Sequence, residues 1–116
     1  RALTGVARGA QVEADVARLL AERRELARSI REQVSAAVNR LEVARASHRA
    51  SLQRLAAARA RSAARKAAFE LERATMDELL TAELEERQAE RAVVNTTAQH
   101  HVARAELERV VEVEAP

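Results

Sequence analysis

Few side chains in this sequence could do chemistry. There are three histidines, His48, His100 and His101. His100 and His101 are consecutive, so on a helix they point about 100° apart and do not converge on one metal ion. No His-x-x-x-His or Glu-x-x-His pair accompanies them, and there is no cysteine. That removes thiolate ligands, thiol nucleophiles and disulfides. The histidines read as seam or surface residues, with His48 on a seam. Glu83, Glu85, Glu86 and Glu90 could attract a cation, but they read as a solvated helix face partly neutralised by Arg87 and Arg91. Arg59, Arg61, Arg65 and Lys66 make the densest basic patch. A nucleic-acid surface adds aromatic or base-reading polar residues to such a patch, and only Phe69 lies nearby. Catalytic Ser-His-Asp and Cys-His sets, phosphate-cradling glycine loops and dinucleotide fingerprints are all missing from the sequence. The chain is therefore expected to be no enzyme and to carry no cofactor or metal.

What the remaining polar residues can do is end and start helices. Thr75 and Glu78, in the stretch FELERATMDELLTA from Phe69 to Ala82, form a capping box ahead of Leu79 and Leu80. The Thr hydroxyl can accept a bond from a free N–H of the helix that follows. This stretch is the expected tip of a helical hairpin.

The elements on either side must be helices. The chain has 116 residues, of which 33% are charged and about a quarter are Ala. Phe69 is its one aromatic. A composition rich in Ala, Glu, Leu and Arg signals long helices or coiled coil, and burial must come from close seams. Gly5, Gly9 and Pro116 are the only strong breakers, and all lie near the ends. Residues 1–10, with Thr4 and both glycines, are expected to be an irregular lead-in. No alternating strand pattern occurs, and no stretch approaches the ~20 apolar residues of a membrane span. The sequence opens on Arg1 rather than Met, so a fragment or mature piece of a larger protein is expected.

Apolar and small residues then mark the seams. One ladder runs Val12, Val16, Leu19, Arg23, Leu26, Ile30; a second runs Ile30, Val34, Ala37, Leu41, Ala44, His48, Ser51, Leu55, Ala58, Ser62, Arg65, Phe69. Steps of three and four are the coiled-coil period. The junction at Leu26, Ile30 and Val34 takes two steps of four, a stutter-like shift. Beyond the tip, Leu79, Ala82, Glu86, Ala89, Val93, Thr96, His100, Ala103, Leu107 and Val110 form one ladder, with Leu80, Leu84, Val94, Ala98, His101 and Ala105 on a neighbouring one. Two seams on one helix call for two neighbours.

The predicted fold is all-α: one long antiparallel helical hairpin with coiled-coil packing, part of an α-helical barrel or bundle. Its single domain spans 1–116, with a long helix over about 12–69, a tip over about 70–75 and a return helix over about 76–111. Charge supports the pairing. Residues 1–69 hold 15 Lys and Arg against 6 Asp and Glu, a net of +9; residues 70–116 hold 5 against 12, a net of −7. A basic half tethered to an acidic half favours self-pairing over nucleic acid or anionic lipid. The stripe from Val12 to Ile30 has no partner on this plan and should meet another chain or another part of its own.

Phe69, Thr75, Leu79, Leu80, Ala82, Ala105, Leu107, Glu108 and Arg109, with the upstream run RSIREQVSAAVNRLEVARAS, resemble the tip and helices of the outer-membrane efflux protein family, the TolC-like channels. One position departs: the family's usual glycine three residues after the aromatic is Glu72 here. The resemblance implies a periplasmic location in a Gram-negative cell and a homo-oligomer, a trimer in the parent protein. The helices would form a hollow export duct, and membrane contact would come only through parts absent from this chain. It implies a periplasmic adaptor docking at the tip through Phe69, Leu71, Glu72, Arg73, Thr75 and Met76. Leu79, Leu80, Ala82 and Leu107 would pack helices. An adaptor hairpin is a rival reading, although the Arg, Leu and Ser spacing of adaptor tips is absent. A non-transport coiled-coil scaffold is a second rival, and a basic helical nucleic-acid binder a third.

Overall fold

The computed structural model of the chain describes residues 2–114, with side chains described over 4–112. Two helices account for nearly all of it. Helix α1 (Ala2–Glu70) and helix α2 (Met76–Glu114) run antiparallel. The hairpin is a rod of 105 × 23 × 13 Å. That length is the one expected of a straight 69-residue helix, which rises ~1.5 Å per residue.

The lead-in does not form. Gly5 and Gly9 lie inside α1, which begins at Ala2 rather than near residue 12. Each glycine weakens a helix by about 1 kcal/mol relative to Ala. No other residue of 1–10 breaks a helix, so the long pattern behind them extends through. A Cβ at either glycine would meet nothing within 4 Å, so no close packing requires them. Helix α2 likewise runs on past residue 111 to Glu114.

The seam follows the spacing. Ala37, Leu41, Ala44, Ser51, Leu55, Ala58 and Ser62 of α1 are buried, and Ile30, Val34, His48 and Phe69 are half-buried. Their counterparts Leu79, Ala82, Ala89, Thr96 and Ala103 on α2 are buried, with Glu86, Val93, His100, Leu107 and Val110 half-buried. Arg65, on the same ladder, is exposed and turns its guanidinium to Glu78. Two apolar clusters form: Leu41, Ala44 and Ala103 with Leu107, and Leu55, Ala58 and Ala89 with Val93. A fully buried Leu stabilises by roughly 1.5–3 kcal/mol, and an Ala by much less. Cohesion is therefore spread thinly along the rod.

The charge asymmetry becomes cross-helix pairing. Arg40 meets Glu106 at 2.5 Å, Arg61 meets Glu85 at 3.6 Å and Arg65 meets Glu78 at 2.8 Å, with Arg59 and Glu86 at 4.0 Å. These pairs are largely exposed, and such pairs contribute about 0–1 kcal/mol each. Their value is in direction and register. Three of the four acidic-cluster residues are thus accounted for: Glu85 and Glu86 across the seam, and Glu90 with Arg87.

The neighbouring α2 ladder, Leu80, Leu84, Val94, Ala98, His101 and Ala105, lies outside the buried seam and is exposed. So is the first stripe of α1: Val12, Val16, Leu19 and Leu26 are each half or more exposed. Nearly thirty residues of α1 extend past the end of α2.

Candidate functional site

At the tip, α1 ends in a Schellman motif. Arg73 N–H donates to the carbonyl of Ala68 at 2.8 Å, and Glu72 N–H donates to that of Phe69 at 3.0 Å. This bond pair forces the residue between helix and exit into the left-handed region. Glu72 occupies that place with a φ of 58°. A Cβ there crowds the following carbonyl, at about 1–2 kcal/mol, which is why glycine is the usual occupant.

Helix α2 starts as the capping box predicts. Thr75 Oγ1 accepts from Glu78 N–H at 3.1 Å, and Thr75 O–H donates to the Glu78 carboxylate at 3.3 Å. The Thr75 carbonyl accepts from Leu79 N–H at 3.1 Å, the first bond of the new helix. Asp77 and Glu78 place negative charge in its first turn, where the helix dipole favours it. Only five residues, Leu71 to Thr75, separate the helices.

The tip residues are disposed as follows. Phe69 is half-buried at the end of the seam. Leu71 is 65% exposed and Met76 51% exposed, so both offer apolar surface on the rounded end. Glu72, Arg73 and Thr75 are exposed around them. Of the helix-packing set, Leu79 and Ala82 are buried and Leu107 packs against the Leu41 cluster. Leu80 lies outside the buried seam. It is 53% exposed, on the second α2 ladder.

A second constellation lies mid-rod, between the two apolar clusters. The rings of His48 and His100 stack across the seam, 6.2 Å between centroids and 20° between planes, and His101 tilts against His100 at 5.9 Å. His48 Nδ1 lies 3.2 Å from Thr96 Oγ1, which lies 2.7 Å from Ser51 Oγ, which donates to the His48 carbonyl at 2.8 Å. The Thr96 hydroxyl also reaches the Val93 carbonyl at 3.1 Å, so His48, Ser51 and Thr96 make one polar layer across the seam, each hydroxyl with a backbone carbonyl to donate to. Partial burial holds His100 below the ordinary imidazole value of 6.5, and the positive charges of Arg45, His101, His48 and Arg104 lower it further. Stacked rings direct their lone pairs alongside rather than toward each other. Among the described residues no group of three or more His, Asp or Glu could hold a metal ion.

Sequence reasoning placed His48 and His100 on the two seams but did not bring them together. Counting outward from the tip would have done so: His48 lies 25 residues before Arg73, and His100 lies 27 after it.

No family model matches the sequence, and no curated protein or solved structure matches the chain. No helix among the described residues is long and apolar enough to cross a membrane.

Proposed function

We propose that this chain is the periplasmic helical-hairpin segment of a TolC-like outer-membrane efflux channel, forming part of the export duct and docking an adaptor protein at its tip. The observation that carries the reading is the left-handed backbone at Glu72. This is the position at which the resembled family usually places a glycine, the residue that takes up such a backbone without strain. The architecture suits a duct wall. A helical cylinder needs each helix to meet neighbours on two sides, and α2 carries one buried ladder and a second that faces solvent. The rod also extends α1 well beyond α2, which leaves room to stack on further elements. Assembly as a homo-oligomer would cover the outer ladder.

The docking surface in this reading is the rounded end, with Leu71 and Met76 as exposed apolar contacts ringed by Glu72, Arg73 and Thr75. Exposed apolar groups inside a polar rim are a common pattern of protein contact sites. The test is Leu71→Ala with Arg73→Ala in the whole protein in its native cell. Efflux should fall severalfold while oligomeric state and helix content stay unchanged. Unaltered efflux with both substitutions present would overturn the docking role. Fractionation away from the cell envelope would overturn the channel reading as a whole.

A further inference from the structure

We infer that the stacked His48–His100 pair is a proton-operated latch that releases the base half of the hairpin, on the side away from the tip, while the tip half stays zipped. The inference does not rest on the efflux reading.

Within four residues of His48 on α1 the charged groups are Arg45 and Arg49; within four of His100 on α2 they are His101 and Arg104. All are basic, and no carboxylate is among them. The nearest acidic groups are already engaged or point outward. Glu106 is held by Arg40, Glu108 is held by Arg104 at 3.3 Å, and Glu42 is exposed. A proton added to either ring thus enters a cluster with no counter-ion. Two imidazolium rings stacked at 6.2 Å would repel across a half-buried seam, where screening is weaker than in water.

Pairing of the helices lowers the His100 value. Its folded value lies below 6.5, so near and below that pH the separated helices bind more protons than the paired ones. Seam stability is complete above about pH 6.5 and declines as pH falls through that value toward the folded one.

Why one half opens follows from the packing. Toward the tip, the Leu55 cluster, the Arg65–Glu78 pair and the closed turn restrain both helices. Toward the base, the Leu41 cluster, the buried Ala37 and the Arg40–Glu106 pair hold the helices together among the described residues, with no turn closing them there. Charging the layer therefore frees the stretch of α2 from His100 onward and exposes Leu41, Ala44 and Leu107.

The chain has no cysteine, so spin labels can be placed at will on exposed positions. Ser35→Cys with Arg109→Cys reports the base, and Ala63→Cys with Glu83→Cys reports the tip. Between about pH 7.5 and 5.5, where imidazole titrates, the base distance should lengthen and broaden while the tip distance holds. The open fraction should grow by up to about tenfold per pH unit for one proton. His48→Gln with His100→Gln keeps hydrogen-bonding groups but cannot charge, and should make the base distance pH-independent. Arg45→Glu, at an exposed site, supplies the missing counter-ion and should suppress opening without relying on the seam variants to fold. A base distance that does not respond, a tip that responds equally, or opening that persists in either variant would overturn the latch.

Discussion

Glu72 is where one side chain works against its backbone. Its φ of 58° comes from the bond of Arg73 N–H to Ala68, which closes α1, and not from any contact of the Glu72 carboxylate. Glu72→Gly should therefore stabilise the hairpin by about 1 kcal/mol, read as a higher melting temperature by circular dichroism. A lower melting temperature would mean that the carboxylate has a partner that outweighs the strain. The sequence disclosed this site by its neighbours, since Thr75 and Glu78 mark where α2 begins. It could not disclose the φ, because a Glu gives no sign of left-handed backbone.

At the scale of the helix, the seam is narrow because its residues are small. Ala58 is 1% exposed and faces Ala89 within one cluster. Ala58→Leu would push the helices apart at mid-rod and should destabilise by roughly 1–3 kcal/mol. Ala60→Leu, on the exposed side of α1, should change little. Equal melting temperatures for the two variants would contradict a close-packed seam. Nearly every seam residue was readable in advance, because steps of three and four leave few other choices of face. Register across the seam was not, since it depends on how many residues the turn consumes. The five between Glu70 and Met76 set His48 beside His100, and ladder counting on either helix alone is blind to that. The start of α1 was also missed. Two glycines looked like punctuation, yet the pattern behind them carried the helix through.

At the scale of the molecule, the first third of α1 stands out past α2 with Val12, Val16, Leu19 and Leu26 uncovered. A lone helix of this length is marginal in water without packing. The chain at micromolar concentration should self-associate through this stripe. Leu19→Lys with Leu26→Lys should shift sedimentation toward monomer and reduce helicity in the extension alone. A fully helical monomer in the unaltered chain would show that the extension is stable unaided. Resemblance carries the functional reading further than the fold does, because a two-helix rod supports many roles and only its tip and exposed faces separate them.

The placement of the one turn also fixes an order of events in folding. Arg65 and Glu78 are 13 residues apart in the chain, whereas Arg40 and Glu106 are 66 apart. Closing the longer loop first would cost about 1.4 kcal/mol more in chain entropy. The helices should therefore zip from the tip downward, with the base joining last. Relief of strain at Glu72 should accordingly appear in the folding rate and leave the unfolding rate nearly unchanged. During synthesis, α1 is made in full before the first turn of its partner. Its whole apolar edge waits uncovered until residue 76 emerges, and the acidic helix that follows then closes over it from the far end.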